Sequence, residues 1–219
     1  MKDLLEKGAI IQRDGETYAI APHTPGGLVT PEILRKVADI AEKYGAKAIK
    51  LTSAERIALV GLQEKDLDNI WKELDMKPGH AIGICVRSIK FCPGTTFCKR
   101  GKQDSVSLGL ELDKLYHGMD MPGKMKIGVS GCINSCAEST IKDIGLIGKA
   151  NGWTLLVGGC ATGAHTRIAD VLAENLTTEE AKALIAKVIE YYKANAKSKR
   201  LSRYIEEIGI EEFKKAVLK

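Results

Sequence analysis

Residues 124–136 read KMKIGVSGCINSC and carry most of the information about the fold. The first six residues alternate in character, and a Ser-Gly step then leads into two cysteines with the spacing C-x3-C. Alternation with a period of two is typical of a β-strand that turns one face towards a core. The segment therefore predicts a strand that delivers two thiols, Cys132 and Cys136, in the turn that follows it.

A second pair of cysteines precedes this segment, in the sequence CPGTTFC at residues 92–98. Its spacing, C-x5-C, is wider than that of the pairs that usually hold structural zinc. Each pair lies beside a glycine, Gly94 or Gly131, which lets the backbone approach a bulky centre and direct amide hydrogens at its sulfur atoms. Four thiolates on two loops favour an iron–sulfur cluster, although spacing alone leaves zinc or unliganded cysteines as alternatives.

Length and composition set the broad class of the protein. The chain has 219 residues, of which 44% are hydrophobic and 28% charged, as in globular proteins of one or two domains. Its longest stretch without Asp, Glu, Lys or Arg has 17 residues and contains glycines, too short for a membrane span of about 20. The N-terminus lacks a secretory pattern, so we expect a cytoplasmic, reducing compartment in which the six cysteines are thiols or metal ligands.

The charge pattern gives no sign of a nucleic-acid partner. The formal net charge is +5 and aromatic residues make up only 5%, so no base-stacking platform is expected. The densest basic run, KANAKSKR at residues 193–200, is interpreted as a solvated helix end. The predicted partners therefore exclude nucleic acid and membrane.

Residues 1–77 predict a small α+β domain. Two short strands flank Asp14-Gly15, a dipeptide typical of hairpin turns. A helix begins at Thr30-Pro31, and two further strands, AKAIKLT and RIALVG, precede a helix over residues 64–74. The Pro-Gly step that follows places the boundary of a second domain, residues 78–219.

The second domain contains all six cysteines and predicts a mixed α/β fold. Strands are expected at AIGICVR (residues 81–87), at residues 124–129 and in a hairpin around Ala150-Asn151-Gly152. A helix is expected over residues 105–117, and the capping box Thr177-x-x-Glu180 begins a long helix that two short ones follow. The apolar stripe of the long helix is predicted to contain Ala181, Leu184, Ile185, Val188, Ile189 and Tyr192.

Strand periodicity directs several cations towards one space. Lys124 and Lys126 share one face of their predicted strand, opposite an apolar face that belongs in the core. Arg87 shares a face with Cys85, opposite Ile82, Ile84 and Val86, shortly before the first cysteine pair. Convergent cations suit an oxyanion and a cofactor rich in carboxylates, and the alternative is that they are strand-end charges facing water.

The two cysteine motifs resemble the signature of the siroheme-dependent sulfite and nitrite reductases. CPGTTFC and KMKIGVSGCINSC carry the resemblance, which extends over most of the chain through the DIGLIG and VGG segments. It implies an α+β chain with a ferredoxin-like region followed by a siroheme and iron–sulfur domain. It also implies that Cys92, Cys98, Cys132 and Cys136 hold a 4Fe–4S cluster and that Cys136 ligates the siroheme iron as well.

The resemblance further implies roles for polar residues. Arg87, Lys124 and Lys126 match an arginine and a K-x-K pair that contact the substrate, and we expect them to bind the siroheme too. Thr96 and Asn134 lie inside the cysteine loops, where such residues commonly form hydrogen bonds within a turn. The resemblance adds contacts from both to the cluster or the haem.

Two features depart from the family pattern. The family usually has an arginine in a stretch like LTSAERIAL at the position of Ala54. Arg56 would share the face of that position in an extended strand and substitute for the arginine, and the alternative is that this role is lost. The two-region unit usually occurs twice in a chain and occurs once here, so a homodimer is a hypothesis. Cys85 and Cys160 lie outside the pairs and are interpreted as buried free thiols.

The cysteine motifs, the convergent cations and the family resemblance together imply an oxidoreductase that reduces sulfite to sulfide, with electrons passed from the cluster to siroheme. Arg87, Lys124 and Lys126, with Arg56, are expected to neutralise the anion and supply protons. The sequence has no dinucleotide or flavin motif, so a ferredoxin or a separate reductase subunit is expected as the donor. The alternatives are nitrite reduction to ammonia, a non-catalytic siroheme or electron-transfer protein, and a zinc-binding scaffold.

Overall fold

The structure is a computed structural model that describes residues 2–163 and 165–219. The chain divides between Gly83 and Ile84 into two compact units, each with its own hydrophobic core. The boundary predicted after residue 77 lies slightly earlier and stays a prediction. Within the two described ranges, no helix is long and apolar enough to cross a membrane.

The first unit is an antiparallel sheet with two helices. Its elements are β1 (Ala9–Ile11), β2 (Tyr18–Ile20), α1 (Pro31–Lys43), β3 (Ala48–Leu51), β4 (Ile57–Leu62) and α2 (Leu67–Leu74). The strands lie in the order β1-β2-β4-β3, and Thr30 caps α1 as predicted by accepting the Ile33 N–H at 3.4 Å. The predicted series of elements is confirmed, except that residues 64–66 form a 3-10 turn ahead of α2.

The turn between β3 and β4 corrects the prediction for Arg56. The Thr52 N–H donates to the Arg56 carbonyl at 2.9 Å, and the Arg56 N–H donates to Thr52 Oγ1 at 3.1 Å. Ala54 and Arg56 therefore lie in a hairpin turn, and the face-sharing expected of an extended strand is wrong. The buried guanidinium of Arg56 donates instead to the carbonyl of Gly79.

The second unit is a five-stranded mixed sheet with helices. Its elements are β5 (Lys90–Phe91), α3 (Gly94–Phe97), α4 (Ser105–Tyr116), β6 (Ile127–Ser130), β7 (Ile144–Lys149), β8 (Gly152–Val157), β9 (Asp170–Leu176), α5 (Thr178–Asn195), α6 (Leu201–Ile208) and α7 (Ile210–Val217). The strands lie in the order β5-β6-β7-β8-β9, with β5, β6 and β7 parallel and the remaining pairs antiparallel. The predicted β7–β8 hairpin, the capping box of α5 and the buried apolar stripe of α5 are confirmed.

Two predicted strands differ from the structure. AIGICVR is not a strand: its backbone bonds to residues 118–125 and forms isolated bridges at Cys85 and Val86, but these do not make a continuous ladder. Its Ile84 side chain is 63% exposed rather than in the core. β6 begins only at Ile127, although Met125 is buried on the apolar face as predicted.

Candidate metal centre and anion site

The two cysteine pairs leave the sheet at the same edge. β5 and β6 are parallel neighbours, with Phe91 opposite Val129, so their C-terminal ends lie side by side. Cys92 directly follows β5, and its N–H donates to the Val129 carbonyl at 3.1 Å. Cys132 follows β6 after a single glycine. Sheet topology therefore brings together two loops that are far apart in sequence.

Glycines allow the two loops to touch. A Cβ atom at Gly131 would lie 2.7 Å from the Cα of Gly94, and one at Gly94 would lie 2.3 Å from Ser105 Oγ. The carbonyl of Gly131 accepts the N–H groups of Lys102 and Gln103 at 2.7 and 3.0 Å. Because a side chain at Gly131 would meet backbone that has no room to move, only glycine allows this approach.

The thiol of Cys92 already accepts a backbone hydrogen bond. The Gly131 N–H donates to Cys92 Sγ at 3.1 Å, and Ser105 Oγ lies 3.4 Å from the same sulfur. Amide hydrogens aimed at cysteine sulfurs stabilise thiolates and tune iron–sulfur centres, so the contact expected from the glycine positions is present. Cys136 is exposed whereas the other three paired cysteines are half-buried.

The spacing of the sulfur atoms does not suit a single zinc ion. Zn–S bonds of about 2.3 Å place tetrahedral sulfurs about 3.8 Å apart. In residues 2–163 and 165–219, no three sulfurs of Cys92, Cys98, Cys132 and Cys136 lie within 4.8 Å of one another. An iron–sulfur cube holds its thiolates farther apart than one ion does, so the four residues fit the cluster better than zinc.

Arg87, Lys124 and Lys126 are near enough to one another to interact electrostatically. Burial lowers the pKa of Lys124, and the positive charge of Arg87 lowers it further. The pKa of Lys126 is likewise lowered by burial first, and then by the charges of Lys142 and Lys124. Burial also lowers the pKa of Arg87. The structure thus gathers the three predicted cations into one cluster of positive charge.

The neighbouring acid Glu138 pairs with lysines other than Lys124 and Lys126. Lys142, whose charge acts on Lys126, pairs with Glu138 at 2.8 Å. Lys90 pairs with the same carboxylate at 3.3 Å. Within the described part of the chain, neither Lys124 nor Lys126 forms an ion pair. Their positive charge is therefore left for an anion that comes from outside the chain.

A buried ion pair next to Lys126 was not predicted from the sequence. Asp143 has a side chain that is 0% exposed and accepts Arg200 Nε and Nη2 at 2.7 and 2.8 Å. The same carboxylate accepts the backbone N–H of Lys126 at 2.8 Å. Arg200 belongs to the run interpreted as a solvated helix end, which is wrong for this residue because its side chain is only 17% exposed. The available signal is Asp143 itself, an acid that immediately precedes an apolar strand.

The other predicted site residues have separate positions. Thr96 donates to Asp104 Oδ1 at 3.2 Å, and Asn134 is exposed beside Cys132. Arg56 belongs to the first unit. Cys85 and Cys160 are both buried and form no disulfide, in agreement with their interpretation from sequence.

Two family models match the chain and together cover nearly all of it. The model described as the nitrite/sulfite reductase ferredoxin-like half domain matches residues 10–77, and the nitrite and sulphite reductase 4Fe-4S domain matches residues 82–219. The chain belongs to the nitrite and sulphite reductase family. The resemblance seen in the cysteine motifs is thereby confirmed. Members of this family are oxidoreductases that use a 4Fe–4S cluster and siroheme and act on small anions with electron-transfer partners.

Relatives in this family carry two kinds of name. A protein of Nitratidesulfovibrio vulgaris named "Sulfite reductase, assimilatory-type" is 48% identical over 213 residues, which are 97% of each chain. A Bacillus subtilis protein named "Nitrite reductase [NAD(P)H]" is 41% identical over 203 residues, which are 92% of this chain and 25% of that protein. The family thus includes short members of this length and long members that contain it as one part.

Solved structures of family members share the fold. A dissimilatory sulfite reductase I superposes with a TM-score of 0.83 at 17% identity, over 92% of this chain and 69% of that one. The NirA protein of Mycobacterium tuberculosis gives a TM-score of 0.79 at 21% identity, over 92% of this chain and 39% of that one. At such identities the likeness confirms the predicted α+β architecture.

Proposed function

We propose that this family member is a siroheme and 4Fe–4S sulfite reductase that converts sulfite to sulfide. The observation that carries the proposal is a cluster of cations in the unit that also contains the paired cysteines. In it, Lys124 and Lys126 lie near Arg87, and neither lysine forms an ion pair within residues 2–163 and 165–219. Identity of 48% along 97% of an assimilatory-type sulfite reductase supports sulfite as the substrate. Each hydrogensulfite ion takes up six electrons and six protons and yields one hydrosulfide ion and three water molecules.

The four paired cysteines are the proposed ligands. Cys92, Cys98, Cys132 and Cys136 would hold the cluster, and Cys136, the most exposed of the four residues, would also be a ligand of the siroheme iron. When bound, the two groups supply single electrons and an iron atom with an open position for the anion. Thr96 and Asn134 are proposed to line the cofactors from within the loops. The role of the protein is then to bind, orient and protonate the substrate.

Arg87 and the two lysines divide this work. A guanidinium keeps its charge at neutral pH, so the buried Arg87 binds and orients the oxyanion without giving up a proton. A lysine whose pKa is lowered is a stronger acid than an ordinary one, so Lys124 and Lys126 are suited to protonate the oxygen atoms that leave as water. Lys124 is exposed and can regain its proton from solvent.

A role of Arg56 in the reaction has less support than the roles of Arg87, Lys124 and Lys126. Its guanidinium donates to the carbonyl of Gly79, within the first unit. That bond favours a structural role in holding the chain ahead of the second unit. A contribution of Arg56 to substrate binding stays a prediction.

We further infer an electron donor outside the chain, either a ferredoxin or a separate reductase subunit. Six cysteines without a disulfide favour a reducing compartment such as the cytoplasm. The homodimer also stays a prediction. Light scattering of the haem-loaded protein tests it, and a monomer with full haem removes it.

Nitrite is the alternative substrate. The Bacillus subtilis nitrite reductase is 41% identical over most of this chain, and the same three cations suit either anion. Parallel steady-state assays with sulfite and nitrite decide between them. A large preference for nitrite in kcat/KM overturns the choice of sulfite.

The cation cluster is tested by substitution in the holoenzyme. We expect Lys126→Ala to lower kcat/KM for sulfite by roughly 100-fold or more, because both charge and proton supply are lost. Its anaerobic absorption spectrum and its iron and acid-labile sulfide content should match those of the unaltered protein. Lys114→Ala, at an exposed lysine of α4, is the control and should leave turnover unchanged. Normal turnover in Lys126→Ala contradicts the assignment.

A further inference from the structure

A buried hydroxyl group in the second cysteine loop lacks a hydrogen-bond partner. The loop runs from Cys132 to Cys136, and Ser135 directly precedes its second cysteine. The Oγ atom of Ser135 is buried, and no atom of residues 2–163 and 165–219 forms a hydrogen bond with it. A serine hydroxyl can donate one hydrogen bond and accept two, and burying it without any partner is unfavourable. Its place between two proposed ligands indicates a partner that does not belong to the chain.

The backbone at Ser135 is strained as well. Its φ of +52° lies in the left-handed region, which glycine adopts easily and other residues seldom adopt. Strained residues of this kind persist where the surrounding structure holds them in place, and they concentrate at sites that bind ligands. A side chain at a position whose backbone favours glycine therefore points to a role for that side chain. This argument does not depend on the missing hydrogen-bond partner.

Two consecutive turns hold Ser135 between the proposed ligands. The Ser135 N–H donates to the Cys132 carbonyl at 3.2 Å, and the Ser135 carbonyl accepts the Glu138 N–H at 2.7 Å. A hydrogen bond of the first kind closes a turn whose end residues have Cα atoms within about 7 Å of each other. Ser135 is therefore near Cys132 in space and next to Cys136 in the chain, so any group bound by both cysteines lies close to its hydroxyl.

Two other buried serines near the cysteine loops have their acceptors within the chain. Ser105 Oγ donates to the Cys92 carbonyl at 2.7 Å. Ser139 Oγ lies 2.9 Å from the Leu146 carbonyl oxygen, which accepts its hydrogen bond. Carbonyl groups in this region thus satisfy buried hydroxyls where they are needed. The missing partner is a property of Ser135 and not of the region.

The neighbouring cysteine sulfurs do not accept this hydrogen bond. The Sγ atoms of Cys132 and Cys136 belong to the described part of the chain, and neither is bonded to Ser135 Oγ. A 4Fe–4S cluster brings further sulfur acceptors, its inorganic sulfide ions, which lie beside the iron atoms that the thiolates bind. The acceptor that the hydroxyl needs therefore arrives with the cluster.

We propose that the Ser135 hydroxyl donates a hydrogen bond to a sulfide ion of the 4Fe–4S cluster and thereby raises the reduction potential of the cluster. The inference rests on the proposed ligands Cys132 and Cys136, and it does not depend on which anion is reduced. The reduced cluster carries one more negative charge than the oxidised cluster, so the O–H dipole stabilises the reduced form more. Removing the hydroxyl makes the cluster harder to reduce.

Two variants of the holoenzyme test this hydrogen bond. Ser135→Ala removes the hydroxyl and keeps a Cβ atom at the strained position, whereas Ser135→Gly removes the hydroxyl and relieves the strain. An anaerobic redox titration, followed by the electron paramagnetic resonance of the reduced cluster, measures the midpoint potential. In both variants we expect the ratio of reduced to oxidised cluster at a given potential to fall about tenfold, which is about 59 mV for a one-electron couple. Equal shifts identify the hydroxyl, and not the backbone, as the cause.

Ser107→Ala is the matched control. It removes the same group from α4 in the same unit, but the Ser107 hydroxyl donates to Asp104 Oδ2 at 2.7 Å and so has its acceptor within the chain. The midpoint potential of the cluster should therefore stay unchanged. Iron and acid-labile sulfide per chain are measured in all three variants, so that potentials are compared between fully loaded proteins.

The outcomes separate this inference from the proposed function. An unchanged potential in Ser135→Ala and Ser135→Gly overturns the hydrogen bond, and so does a shift in only one of them. Loss of the cluster from Ser135→Gly also overturns it, because relief of strain and loss of one hydrogen bond should not prevent assembly. A change in siroheme absorption without a change in cluster potential places the acceptor on the macrocycle and overturns it as well. Absence of sulfite reduction by the unaltered protein with a complete cluster contradicts the proposed function instead, and the potentials alone then decide on the hydrogen bond.

Discussion

Asp143 illustrates how one buried charge can organise a site without touching the substrate. Its carboxylate holds Arg200 through two bonds and the backbone of Lys126 through a third. This arrangement fixes the start of β6 next to the cation cluster. A buried pair of this kind contributes little net stability while intact, but removing one partner leaves the other charge buried and uncompensated.

We therefore expect Asp143→Asn to destabilise the protein by about 3 kcal/mol, because Arg200 keeps its charge and loses its counterion. Urea unfolding followed by circular dichroism measures the shift of the midpoint. Glu212→Gln removes one side of an exposed pair with Lys215 and should leave the midpoint nearly unchanged. Equal shifts of the unfolding midpoint in the two variants would contradict the larger cost expected for breaking the buried pair.

Single residues differ in how far sequence predicts them. The buried positions of Met125 and Ile127 follow from alternation alone, because a strand has only two faces. The pairing of Asp143 with Arg200 joins residues 57 positions apart, and no local pattern encodes such a contact. The cysteine ligands lie between these extremes, since spacing groups them while sheet topology brings the groups together.

At the scale of elements, the parallel pair of β5 and β6 determines the geometry of the candidate metal centre. The strands end together, and the loops that follow them meet at Gly94 and Gly131. Hairpins, capped helices and the stripe of α5 were predictable because each depends on residues close in sequence. β9 was not, because an edge strand with Leu172 as its one fully buried residue has no clear alternation.

The contact between the loops gives a prediction for Gly131→Ala. The added methyl group would lie 2.7 Å from Gly94 Cα and 2.8 Å from the Gln103 carbonyl oxygen, so the loops must separate. We expect iron and acid-labile sulfide per chain, measured after anaerobic purification, to fall below half of the normal content. Gly15→Ala strains a turn with φ of +72° but meets no neighbour, so it should keep full iron content. A complete cluster in Gly131→Ala contradicts this account.

At the scale of the whole molecule, each unit has its own core and the four paired cysteines belong to the second. The proposed anion-binding cations Arg87, Lys124 and Lys126 belong to that unit as well. Sequence predicted two regions from a Pro-Gly step and from the distribution of cysteines. The structure divides the chain at residues 83–84, inside the segment AIGICVR whose alternation predicts a strand that does not form, and the boundary after residue 77 stays a prediction.

Independent cores predict that residues 78–219 fold when expressed without the first unit. The chain has two tryptophans, and Trp153 is the one in this part, buried in the core of the second unit. We therefore expect blue-shifted tryptophan emission from the isolated part and a single cooperative thermal transition, with near-ultraviolet circular dichroism retained. Red-shifted emission with strong binding of a hydrophobic dye would instead indicate a loosely packed state. In that case the second core depends on the first unit, and the division of the chain at residue 77 is wrong.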